Sequence, residues 1–350
     1  MIESIRIENF RCYQKLELEN LRRINVIVGQ NASGKTALLE SIFIAGGNNP
    51  EIVIRVDAFR GLGIALKIKI ERSTYESLWR DLFFGFDQNK NITIHLTGSP
   101  ANSRSVNISY SRDHSFTLPI SEIANVDSPL IVPIVFEWTD FNRVVSRSEV
   151  KLTQEGLVFA GLSEALPVYF FSSAAQSNPT ENADRFSDLS KIGKEKAIIE
   201  ELRKQFLYID DVSIQTRSGN AMLYASIKDI PEKMPIALVS SGINKLLTLM
   251  LGLADKPQGI VLVDEIENGF YHDTLPTIWS TLLRFCKGYN AQLFASTHSQ
   301  ECLNALLPTI KQNEEDFLLI RTYKENGRCL AETFSGRKLV SAISQNIDVR

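Results

Sequence analysis

Between the apolar run Ile24 to Val28 and the segment TALLESIF stand eight residues, Gly29-Gln30-Asn31-Ala32-Ser33-Gly34-Lys35-Thr36. They match G-x-x-x-x-G-K-[ST] at every fixed position, with a strand leading in and a helix leading out. Backbone N–H groups of such a loop point at phosphate oxygens, and the helix N-terminus adds its partial positive charge. The pattern assigns Gly29, Asn31, Ser33 and Gly34 to the phosphate cradle. Lys35 should reach the β- and γ-phosphates, and the Thr36 hydroxyl should ligate Mg²⁺. A chance glycine turn is the competing reading, and the strand–loop–helix context disfavours it.

The rest of the chain supports an α/β fold. Residues 2–8 and 14–19 alternate as strands do, and a helix is expected over 34–45. Helices are also expected over 50–60 and 75–86, followed by β segments from about 91 to 160. LPVYFF (166–171) reads as a buried strand, and the polar stretch SSAAQSNPTENAD follows it. Helices at 192–206 and 241–254 enclose strands around 207–228. The last third alternates: strand 259–263, helix 272–287, strand 291–296, helix 299–310, then strands near 316–321 and 328–333. Alternating β and α with continuous apolar strands indicates a parallel sheet covered on both faces. Both ends of the chain contribute to that sheet, with the middle inserted into it.

Three further segments carry candidate chemistry. GIVLV ends in Asp264-Glu265. Asp264 at the strand tip is placed to hold Mg²⁺, and Glu265 to polarise an attacking water. Acids also end strands for solubility, so this pair gains meaning from the phosphate loop. QLFAS runs into Thr297-His298-Ser299, where a neutral imidazole could donate to a γ-phosphate oxygen and report on it. A structural strand-end histidine is the alternative. Ser240-Ser241-Gly242 precedes a helix about 20 residues before the acidic strand, offering hydroxyls and free N–H groups to an anion. The loop at 29–36 already fills the phosphate role within the domain. Ser241 and Gly242 are therefore read as meeting a γ-phosphate held by a second molecule, with an ordinary N-capped helix as the alternative.

Taken together, ENFR (8–11), GQNASGKT, VSSGINKLL (239–247), VLVDEIENGFYHD (261–273) and FASTHSQE (294–301) resemble the ABC ATPase clan that includes RecF, SMC proteins and the OLD-family ATPases. The resemblance implies an ABC-ATPase head: a mixed, largely parallel P-loop sheet flanked by helices, an N-terminal antiparallel β part, and an inserted helical/β subdomain. It implies an ATPase with ATP and Mg²⁺, Glu265 as catalytic base, His298 as switch histidine, and Ser241 with Gly242 acting in trans. Residues 267–272 are similar to the clan's dimer-facing loop. A clan glutamine touches Mg²⁺, and Gln176 is the candidate here. The expected division is an N-terminal lobe (1–165), a signature subdomain (166–255) and a C-terminal lobe (256–350). The signature departs from the LSGGQ form of transporter ATPases. No heptad run appears, and too little chain follows His298 for a TOPRIM domain.

Composition trims the functional classes. No stretch approaches 18 consecutive apolar residues, so no membrane role is expected. Cys12, Cys286, Cys302 and Cys329 are scattered without a CxxC pair, as suits a reducing cytoplasm. The 38 basic residues against 41 acidic ones give a net charge of −3, so no global field for nucleic acid exists, which leaves room only for a local patch. Two functions then compete. One is the ATPase sensor of a bacterial anti-phage defence system, dimerising around ATP and gating a separate effector such as a nuclease. The other is a DNA-repair head that clamps duplex.

Overall fold

The computed structural model describes residues 1–62, 72–98, 103–111, 116–117, 130–153, 156–159, 165–173 and 178–345. Two sheets organise them. The first has six strands in the order β11 (Val168–Phe171), β15 (Ile260–Val263), β16 (Gln292–Ser296), β3 (Ile24–Val28), β17 (Phe317–Glu325) and β18 (Arg328–Ser335). All neighbours are parallel except the β17–β18 hairpin. β3 comes from the N-terminal end and β15 to β18 from the last third, so the sheet does join both ends of the chain.

The continuous apolar runs follow from burial on both faces. Ile27, Leu262 and Phe294 face one core; Val26, Val263 and Ala295 face the other. The first core holds α1 (Lys35–Gly46) and α2 (Glu51–Phe59). The second holds α4 (Pro179–Lys191), α5 (Glu195–Gln205), α7 (Ser241–Asp255), α8 (Leu275–Gly288) and α9 (Gln300–Lys311).

Across the first core lies a seven-stranded antiparallel sheet. Its order is β10 (Gly156–Phe159), β9 (Val145–Thr153), β8 (Ile134–Thr139), β5 (Arg104–Tyr110), β4 (Ile92–Gly98), β1 (Ile2–Phe10) and β2 (Tyr13–Leu18). The β segments after residue 91 thus extend the N-terminal hairpin through the β1–β4 pairing. Smaller units complete the fold: α3 (Arg72–Arg80), a ribbon of β6 (Phe116–Thr117) with β7 (Leu130–Ile131), and a three-stranded sheet of β12 (Ile209–Arg217), β13 (Asn220–Ile227) and β14 (Met234–Pro235). The short α6 (Ile236–Val239) leads into α7, and α10 (Gly336–Ser344) follows β18.

Three boundaries differ from the sequence reading. The helix expected over 75–86 ends at Arg80, and Gly85, at φ 62°, turns the chain beyond it. The polar stretch after β11 contains the start of α4, where Asn178 caps by accepting from Thr180 N at 3.0 Å and Pro179 opens the first turn. α10 lies beyond the last strand read from the sequence.

One buried ion cluster ties α1 to the rest. Glu40, 1% exposed, meets Arg11 at 2.7 Å and Arg60 at 2.5 Å. Glu40→Ala would leave Arg11 buried without its closest carboxylate, so we expect a loss of about 3–5 kcal/mol in urea unfolding. A loss under about 1 kcal/mol would show that water or a neighbour satisfies Arg11 instead.

Candidate functional site

The carboxyl ends of β3, β15 and β16 lie side by side, where open α/β sheets bind ligands. The loop from Gly29 to Gly34 leaves β3 there. Gly29 sits at φ 146° and Gly34 at φ 105°, angles that other residues rarely adopt. Space is as limiting as angle. A Cβ on Gly29 would fall 2.2 Å from the Thr322 carbonyl oxygen, and one on Gly34 would fall 2.5 Å from Tyr13 Oη. Tyr13 in turn donates to the Gly34 carbonyl at 3.1 Å. Ser33 Oγ lies 2.7 Å from Thr322 Oγ1, which itself donates to the Val28 carbonyl at 3.0 Å. The loop is braced from β2 and β17. Ser33 is buried by this contact, whereas Asn31 is exposed at the loop's outer edge.

Lys35 Nζ folds back onto the carbonyls of Gly29 (2.7 Å) and Gln30 (3.0 Å). Partial burial lowers its pKa, opposed by Asp264, Glu265 and Glu267 nearby. The Thr36 hydroxyl donates to Asp264 Oδ2 at 3.0 Å, and Ser296 Oγ donates to Asp264 Oδ1 at 2.5 Å. A hydroxyl and a buried carboxylate brought together at the mouth of a phosphate loop form an oxygen-only donor set that suits Mg²⁺. The residues fit the ion.

Glu265 follows at φ 51°, a strained angle for a residue with a side chain. Its N–H donates to Ser296 Oγ at 2.9 Å, and its Oε2 accepts from Asn268 Nδ2 at 2.6 Å. His298 is half exposed. Its Nδ1 and its backbone N both lie 3.1 Å from Glu267 Oε1.

Ser241 is exposed at the start of α7, and Gly242 is buried against the following turn, where an added Cβ would sit 2.7 Å from the Gly269 carbonyl oxygen. Ser240 occupies the N-cap position without a side-chain cap. Gln176 lies outside the described residues. Sequence reading gave no role inside this site to Tyr13, Thr322, Ser296, Asn268, Glu267 and Lys245. Of these, only Tyr13 and Thr322 lie outside the motifs already marked.

Fold and site together define an ABC-type P-loop ATPase head of the RecF/SMC clan. The family described as "AAA domain, putative AbiEii toxin, Type IV TA system" matches residues 24–304, and the chain belongs to it. A Helicobacter pylori protein named ATP/GTP phosphatase is 25% identical over 341 residues, covering 91% of this chain and 90% of that one. A RecF DNA replication and repair protein from Exiguobacterium is 51% identical, but over 43 residues, 12% of each chain. Among solved structures, the Smc head bound to the C-terminal winged-helix domain of ScpA superposes with a TM-score of 0.53 at 13% identity, covering 95% of this chain and 98% of that one. The Pyrococcus furiosus Smc head with an extended coiled coil gives the same score at 11% identity and 99% coverage of both. These two likenesses are of fold. Among the described residues, no helix is long and apolar enough to cross a membrane.

Proposed function

We propose that this ATPase works as a homodimer closed around ATP, and that the closed pair gates a separate effector in a cytoplasmic bacterial anti-phage defence system. Lys35 and the loop N–H groups hold the triphosphate of one chain. Thr36 and Asp264 would hold Mg²⁺, which would neutralise negative charge as it develops on the phosphates. Glu265 orients and deprotonates the attacking water, and His298, steadied by Glu267, donates to the γ-phosphate. Ser241 and Gly242 of the second copy complete the site. A two-fold pair satisfies both edges at once, because each chain presents one of each. Hydrolysis removes the group that both copies grip, and the pair opens.

The observation that carries this reading is the exposed, uncapped start of α7. A fifteen-residue helix presents Ser241 outward with no side-chain cap. Leu238 and Tyr271, 65% and 64% exposed, lie in the segments that meet at this edge, and a partner surface would cover them. The family's description as a toxin–antitoxin component supports an effector-linked role.

The test is Ser241→Arg. A bulky cation at the edge should leave ATP binding by the monomer unchanged and lower turnover at least about a hundredfold by blocking the approach of the second copy. Normal turnover in a steady-state phosphate-release assay would rule out completion in trans.

The second reading, a duplex-clamping head, draws on the local RecF identity and the Smc-like fold. Tight ATP-dependent duplex binding by the isolated protein, with a steep salt slope, would favour it over effector gating.

A further inference from the structure

We infer that Lys245 is the positioning residue that makes hydrolysis at a chain's own site depend on engagement of that chain's Ser241 edge with the neighbouring nucleotide. The inference rests on the paired reading above and deepens it by naming the link between the two sites.

Lys245 stands four residues after Ser241 on α7, one turn deeper on the same helical face. Its ammonium turns back into the protein. Nζ donates to the carbonyl of Glu265 at 2.9 Å and to that of Asn268 at 2.9 Å. It also lies 5.6 Å from the centre of the Phe270 ring. Those two carbonyls bracket the turn that holds Glu265 in its left-handed conformation. The same turn supplies Asn268 Nδ2, which fixes the Glu265 carboxylate at 2.6 Å. One lysine therefore sets both the backbone that carries the water-activating group and the residue that aims it.

A second contact ties the same parts together. Gly242 packs so closely on the Gly269 carbonyl that no side chain fits between them. The start of α7 and the 265–270 turn are thus joined at two points, one polar and one steric. A shift of the Ser241 edge would be passed to Glu265 through packed atoms. A lysine kept only for solubility would extend into water. This one is largely withdrawn from it, and burial lowers its pKa to about 8 despite Glu267, Glu265 and Asp264 nearby. Its partners are neutral carbonyls, so the ion-pair gain that commonly offsets such burial is modest.

The experiment uses the full chain with Lys245→Met, which keeps the long apolar stem and removes the donors. We expect ATP affinity by calorimetry to stay within about threefold, and KM likewise, while kcat falls about a hundredfold from a misplaced Glu265. The Hill coefficient of turnover against ATP, expected near about 2 in the native pair, should drop to about 1. Lys245→Arg keeps charge and two-point donation, and should recover most of kcat. ATP-driven pairing, read by light scattering in a Glu265→Gln background, should survive Lys245→Met.

Native-like kcat would overturn the inference. So would a fallen kcat with an unchanged Hill coefficient, because Lys245 would then brace the turn without carrying a signal. Loss of pairing in the double variant would place Lys245 in the interface itself, again against the inference. If Glu265→Gln alone fails to pair, the fault lies with the paired reading, and that control separates the two. Should Lys245→Met melt early, Lys245→Gln, able to keep one of the two bonds, must give an intermediate kcat and Hill coefficient; native values for both would overturn the proposal.

Discussion

Lys35→Ala should abolish measurable ATP binding, leaving no heat in a calorimetric titration that gives a clear isotherm for the native chain. The reason lies in local charge. Lys35 is the cation at the centre of a mouth lined by Asp264, Glu265 and Glu267. Among the described residues its hydrogen-bond partners are the neutral carbonyls of Gly29 and Gln30, so swinging to a phosphate exchanges neutral acceptors for charged ones. Removing it deletes about two charge-assisted bonds of some 1.5–3 kcal/mol each, or roughly a 10²- to 10⁴-fold change in Kd. It also leaves three carboxylates facing a polyanion. An unchanged Kd would mean that the nucleotide binds elsewhere.

Glu265→Gln should lower turnover by about 10²- to 10⁴-fold while ATP still binds. The swap is isosteric, and the amide oxygen can still accept from Asn268, so the strained turn at Glu265 should keep its shape. What disappears is a group able to take a proton. With ATP held and not cleaved, the paired state should accumulate, and gel filtration at saturating ATP should show a dimer. A monomer eluting under those conditions would contradict closure around the nucleotide. If turnover remained near native, another residue would have to activate the water.

How much of this was legible beforehand depends on the range of the signal. The phosphate loop, the acidic strand end and the THS turn are contiguous stretches with strict chemistry, and each stands beside the others at the carboxyl ends of β3, β15 and β16. The continuous apolar runs gave the parallel sheet because both of its faces are buried. Tyr13 and Thr322 could not be read, because a tyrosine in a strand and a threonine in a strand are ordinary residues. Only folding brings one to Gly34 and the other to Ser33. Lys245 was visible inside VSSGINKLL, but helical periodicity alone would send it to solvent rather than onto the Glu265 and Asn268 carbonyls. The start of α4 had a readable signal, an Asn–Pro pair at a helix entrance. It was obscured by the polar stretch around it.

β3 emerges early in synthesis, yet it is flanked by β16 and β17, which begin at Gln292 and Phe317. A growing polypeptide therefore carries its triphosphate-gripping segment for most of translation without the walls that shape it. Such long-range closure is slow to form. A fragment that stops before Thr322 would lack the hydroxyl that steadies Ser33, so partial products should be unable to grasp fuel and so unable to fire prematurely.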